Sequence, residues 1–136
     1  SVPAALEHGA FIGSAGDGKI ASASRQDYAA AAAKVLSLDN QAGKVYELAG
    51  DEAWTLTELA EKLSALTGKS VVYENLSEAD FAAALQNAGL PEGFARLLAD
   101  SDVGASKGGL YDDSHQLSRL IGRPTTSIDD SLKASL

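Results

Sequence analysis

The 136-residue sequence predicts an α/β chain with a few short strands in its first half and a helical tail. Three observations carry this. Within Gly18–Leu38 the pattern changes period: Ile20–Ser24 alternates like a strand, then five alanines, Ala29–Ala33, supply the strongest helix propensity available. Lys44–Ala49 alternates again and is followed by an amphipathic segment, Thr55–Gly68. After Ser70–Leu76, rich in β-branched and aromatic residues, only cap-and-helix patterns recur.

Taken in order, Ser1–Gly9 reads as the end of a helix stopped by Gly9. Phe11–Ile12 and Lys19–Ala21 flank a glycine-rich turn, Gly13–Gly18, whose Asp17-Gly18 pair predicts a hairpin. Ser24 and Asp27 then form an N-cap and its acidic third position, opening a helix with Tyr28, Ala32, Val35 and Leu36 as its apolar stripe. Lys44–Ala49, ended by Gly50 and Asp51, is the clearest strand. Thr55 and Glu58 spell a capping box for the clearest helix, with Leu56, Leu59, Ala60, Leu63 and Leu66 on one face and Gly68 just past its end. Trp54, before the cap, is placed to staple the first turn. Ser77 and Asp80 open a helix with Phe81, Leu85 and Ala88 inward, and Pro91 starts a short one carrying Phe94, Leu97 and Leu98. Asp100–Gly109, small and polar, reads as a long loop. Asp112 or Asp113 caps a helix closed by Gly122, and Ser127 with Asp130 opens the last one.

Composition narrows the partners. A net charge of −8 argues against nucleic acid and anionic membranes as partners, while leaving room for one local phosphate contact. The absence of cysteine removes disulfides, thiol catalysis and cysteine metal sites, and fits a reducing, cytoplasmic compartment. No run of apolar residues has membrane-spanning length and no signal peptide is visible. With no methionine even at the first position, the sequence is expected to be a processed or partial chain.

Candidate chemistry is sparse. Gly13, Gly18 and Lys19 have P-loop spacing, but Ile20 stands where the magnesium-binding Ser or Thr belongs, and strand pattern follows where a helix must open. A turn is the better account. His8 and His115 are far apart in sequence, with no metal-ligand spacing, and no nucleophile elbow occurs. None of the four tyrosines has a lysine four residues later: Ala32, Gly50, Ser77 and His115 occupy those places. No catalytic and no metal-binding residue is therefore assigned. One binding candidate remains. Arg25 lies in the first turn of a helix, where a cation is disfavoured by about 0.3–1 kcal/mol, so an anion such as phosphate is a natural partner. The alternative is a solvated surface pair between Arg25 and Asp27.

Three segments together resemble a known family. They are Ser24-Arg25-Gln26-Asp27-Tyr28-Ala29; Lys44–Gly50 followed by Trp54–Ala60; and Leu120–Ile128. Their order and spacing are similar to the C-terminal half of NmrA-like atypical short-chain dehydrogenases, and Asp100–Leu110 narrows the match to bacterial NAD(P)H:quinone oxidoreductases of that family. The resemblance implies a Rossmann-type fold of which residues 1–136 form one C-terminal segment: a substrate domain plus a strand near 44–49 that returns to the Rossmann sheet. The N-terminal dinucleotide-binding domain, with its glycine-rich loop, would lie outside this chain. Implied with it are NADPH as cofactor, a quinone as substrate, Arg25 as the cofactor-binding residue, and either the N-terminal Rossmann half or self-association as the protein partner. A non-catalytic, dinucleotide-sensing regulatory module is the alternative within the family. On this reading the chain by itself does not turn over.

Overall fold

The computed structural model describes residues 2–136, which form seven helices and two strands. The helices are α1 (Val2–His8), α2 (Arg25–Leu36), α3 (Leu56–Thr67), α4 (Glu78–Asn87), α5 (Glu92–Ser106), α6 (Gln116–Ile121) and α7 (Ile128–Ser135). The strands are β1 (Ala10–Gly13) and β2 (Val72–Asn75). The chain divides into two compact units. The first runs up to Ile20 and resumes over Trp54–Leu110; the second joins Ala21–Ala53 to Tyr111–Leu136.

In the first unit β1 and β2 pair in parallel, Ala10 opposite Val72 through Gly13 opposite Asn75. A parallel pair needs a long crossover rather than a hairpin, so the expected hairpin at Gly13–Gly18 does not form. Ile20 instead makes an isolated antiparallel bridge with Trp54, donating to and accepting from its backbone at 2.8 and 3.0 Å. This bridge buries the tryptophan just ahead of α3. Helix α3 follows its sequence pattern: Thr55 and Glu58 complete the capping box, Gly68 ends the helix in the left-handed region (φ 69°), and Leu59, Ala60 and Leu63 are buried. Leu66, at the edge of that face, stays partly exposed. Helices α4 and α5 pack on one another through Phe81, Ala82 and Ala99, with Leu76 and Leu85 against them. Here the expected loop at 100–109 is corrected: α5 continues to Ser106, because Ala95, Ala99 and Ala105 give it a buried small-residue stripe. Phe94 and Leu97 are more than half exposed, and Ala88 is exposed as well.

In the second unit α2 packs on α6. Its buried face is Asp27 and Ala31, not the expected stripe: Tyr28 and Ala32 are exposed and Leu36 is 87% exposed. Residues 21–24 are extended and the Ala21 carbonyl accepts from the Gly50 N–H at 2.8 Å, but they form no ladder, so the strand expected at Ile20–Ser24 reduces to the bridge at Ile20 and this one bond. Lys44–Ala49 likewise joins no ladder among the described residues. A strand is defined by its neighbours' hydrogen bonds, and alternation alone does not supply them. The N-cap of helix α6 is His115, in a left-handed conformation (φ 55°) and with no side-chain cap bond, so neither Asp112 nor Asp113 holds that place; Asp112 accepts from Ser114 instead. Gly122 ends α6, and Ser127 caps α7 through the Asp130 N–H, as the sequence predicts.

Candidate functional site

The segment 21–24 delivers the chain into α2 at Ser24, whose hydroxyl accepts from the Asp27 N–H at 3.1 Å. Arg25 is therefore the first helical residue. Its side chain is exposed, and its guanidinium has no partner among the described residues. The expected Arg25–Asp27 pair is absent because residues two apart in a helix point to nearly opposite sides. Asp27 points inward and is fully buried. Its Oδ2 accepts from the Thr126 N–H at 2.8 Å, and its Oδ1 lies 2.7 Å from Arg123 Nη2, an ion pair by distance without the alignment of a full hydrogen bond. The Ser24 hydroxyl also donates to Thr126 Oγ1 at 3.3 Å. Burial alone would push the Asp27 carboxyl up. The Thr126 N–H, Arg123 and the two hydroxyls outweigh it and hold the carboxyl down at about 2.

Arg25 lines a cleft of about 600 Å³. One wall is Ser22–Gln26; the other is Thr126 and the face of α7 bearing Ile128, Asp130, Ser131, Ala134 and Ser135. Five hydroxyls, one amide and one free guanidinium line it; Ser24 already donates to Thr126, and Ser131 and Ser135 to the carbonyls of Ser127 and Leu132, which leaves Arg25, Gln26, Ser22 and Thr126 as the free donors. That donor set suits a phosphate with an adjoining polyol, so the residues present fit the phosphate-and-ribose part of a dinucleotide. Asp130 is the opposing charge, held by its own N-cap, Ser127.

A second carboxylate anchors the same segment. The Asp51 N–H donates to Thr125 Oγ1 and Asp51 Oδ2 accepts from the Thr125 N–H, both at 2.9 Å, while Asp51 Oδ1 lies 2.8 Å from His115 Nδ1. Burial raises the Asp51 carboxyl, and the His115 ring, the Thr125 N–H and the Ser118 hydroxyl more than reverse this, leaving it below the ordinary range. An ionised Asp51 makes Nδ1 the protonated nitrogen of His115.

The glycine-rich stretch after β1 is no phosphate loop. Its N–H groups are already spent on side chains: Ser14 on Asp102 at 2.9 Å, Ala15 on Tyr73 at 3.1 Å, and Gly16 on Asn75 at 2.9 Å. Lys19 pairs with Glu58 at 3.2 Å. Among the described residues no three His, Asp or Glu side chains cluster to hold a metal, and no helix is long and apolar enough to cross a membrane.

Sequence reading singled out Arg25 and missed the residues around it. The partners that make Asp27 a buried anchor, Arg123 and Thr126, lie 96 and 99 residues further along the chain, and no local pattern links them to it. The one available signal was Gly-Arg-Pro-Thr-Thr-Ser at 122–127, which has no helix or strand period and still matches the family.

No family model matches the chain. Quinone oxidoreductase 2 of Escherichia coli is 70% identical over 132 residues, covering 97% of this chain and 46% of that protein. The chain is a close homologue of half of an NmrA-like oxidoreductase. The structure of the E. coli NADPH-dependent quinone oxidoreductase complexed with NADPH matches with a TM-score of 0.95 at 68% identity, over 99% of this chain and 48% of that one. The triphenylmethane reductase of Citrobacter sp., complexed with NADP(H), matches with a TM-score of 0.90 at 36% identity, over 99% of this chain and 47% of that one. The α/β architecture is thus that of NmrA-like short-chain dehydrogenases, and the chain spans about half the length of the relatives it matches.

Proposed function

We propose that this chain is the C-terminal, substrate-domain half of an NAD(P)H-dependent quinone oxidoreductase. The observation that carries the reading is the 70% identity to E. coli quinone oxidoreductase 2, sustained over 97% of the chain. NADPH, when bound, supplies the hydride that, with one proton, reduces a quinone to its hydroquinone. The glycine-rich cofactor loop and most of the dinucleotide contacts belong to the other half. This chain contributes Arg25, whose free guanidinium at the mouth of the α2 cleft is the phosphate-side contact. Lys44–Ala49 is the strand that joins the other half's sheet; its alternation, with Val45 and Glu47 exposed on one face and Tyr46 and Leu48 only half-buried on the other, supports that assignment.

The test is NADPH oxidation with a simple benzoquinone. The chain alone is expected to show only the uncatalysed background, and the protein containing both halves to turn over. Tight NADPH binding by the two-half protein without quinone reduction would instead favour a dinucleotide-sensing module. Turnover by the chain alone would overturn the division of labour.

A further inference from the structure

The cleft has two walls that belong to segments about a hundred residues apart, and something must set the distance between them. The first wall is the entry to α2, Ser22–Gln26. The second begins at Thr126 and continues along α7. Among the described residues three side-chain links join the two at their base: Asp27 to the Thr126 N–H, Asp27 to Arg123, and Ser24 to the Thr126 hydroxyl. Asp27 makes two of them and is fully buried, whereas Arg123 is about half exposed. We propose that Asp27 is a positioning residue that clamps residues 123–126 onto the first turn of α2 and so fixes the spacing at which Arg25 and the α7 wall receive a ligand phosphate. The inference rests on the cofactor reading of the Arg25 cleft given above.

The chemistry requires a carboxylate. One oxygen accepts a backbone N–H and the other faces a guanidinium, so both must be acceptors. An amide of the same shape would turn its NH2 either toward the Thr126 N–H or toward Arg123, and lose one partner. Asp27 itself does not line the cleft, because Arg25 and Asp27 leave the helix on opposite sides. Its influence therefore passes through Arg25 and Thr126. Thr126 stands two residues before α7 begins, so holding its N–H also holds the direction in which α7 leaves.

The experiment titrates NADPH by cofactor fluorescence into the two-half protein carrying Arg25→Ala, Asp27→Asn, both together, or Arg123→Gln. Arg25→Ala is expected to weaken binding by about tenfold or more, the usual loss for a hydrogen bond to a charged group. Asp27→Asn is expected to weaken it by several-fold on its own and by less than about twofold in the Arg25→Ala background, since two residues acting through one contact are not additive. Arg123→Gln, at a half-exposed position, should shift affinity in the same direction, and it stands in for Asp27→Asn if that variant does not fold. Unchanged affinity in Arg25→Ala overturns the cofactor reading and the positioning role with it. Loss in Arg25→Ala, combined with either no loss or a fully additive loss from Asp27→Asn and Arg123→Gln, overturns the positioning role alone.

Discussion

The two units solve the same problem by different means. In the first, β1 and β2 form a parallel ladder and Ile20 and Trp54 a backbone bridge, while the side chains of Asp102, Tyr73 and Asn75 tie down the loop after β1. The second unit has no ladder among its described residues. Two aspartates take its place, Asp27 holding Thr126 and Asp51 holding Thr125. A ladder spreads its stability over many equivalent bonds, whereas a carboxylate clamp concentrates it in a few charge-assisted ones. The second unit should therefore be more sensitive to single substitutions and to acid, and it also carries the candidate ligand cleft.

The largest effect should come from Asp27→Ala. It leaves the part-buried Thr126 N–H without its acceptor and Arg123 without its carboxylate, and should cost about 3 kcal/mol, read as a lower urea midpoint at unchanged slope. Replacing a carboxylate of the first unit, such as Asp102, should cost less. A reversed order would show that the clamp carries no special share.

Glycine offers a matched pair, one in each unit. A Cβ at Gly50 would lie 2.2 Å from the Ser22 carbonyl oxygen, and one at Gly18 would lie 2.4 Å from that of Ala105. Both obstacles are backbone, so Gly50→Ala and Gly18→Ala should each destabilise by about 1–3 kcal/mol. Only Gly50→Ala should also weaken ligand binding in the two-half protein, because Ser22 lines the cleft. Equal binding losses from the two would break the comparison.

Acid should act first on the second unit. The Asp27 carboxyl sits at about 2 in the folded chain against 3.8 ordinarily. A depressed carboxyl stabilises the fold at pH values above its unfolded value, and that contribution disappears as pH falls through the folded one. About 2 kcal/mol should be lost between roughly pH 5 and pH 2, with Asp51 losing its share in the same direction. Trp54, the single tryptophan, reports on the first unit, and Tyr28, Tyr46 and Tyr111 report on the second. The signals of those three tyrosines, resolved from that of Tyr73 in the first unit, should change at higher pH than the tryptophan emission. Tryptophan changing first would contradict the assignment of acid sensitivity.

The smallest effect belongs to the capping box of the first unit. Thr55→Ala should cost about 1 kcal/mol, visible as a modest shift in melting temperature, with NADPH affinity untouched.

These contrasts also explain what the sequence could show. Local signals were legible: the Ser24, Thr55, Ser77 and Ser127 caps and the Gly68 and Gly122 stops all stand where the residues put them. Helix α5 was cut short because its second half, Asp100–Ser106, is small and polar, and tertiary burial of Ala105 overrode weak propensity. Strands fared worse. Ile20–Ser24 and Lys44–Ala49 alternate as strands do, yet pairing is a property of neighbours. The parallel partner of β1 lay about sixty residues on, where no turn signal could reveal it. At the candidate site, Arg25 stands out in the sequence because its charge conflicts with the helix N-terminus, and the structure leaves it exposed and unpaired among the described residues. Asp27 was not, because a first-turn aspartate is what an exposed helix would also choose.

The central claim is that this chain is one half of a two-half fold, with Lys44–Ala49 awaiting neighbours that it does not itself contain. Light scattering on the pure 136-residue chain over a dilution series tests this most directly. An unpaired strand templates association with another chain. The account predicts concentration-dependent self-association that disappears when the N-terminal Rossmann half is supplied. A monomer at every concentration, unfolding in one cooperative transition, would contradict it.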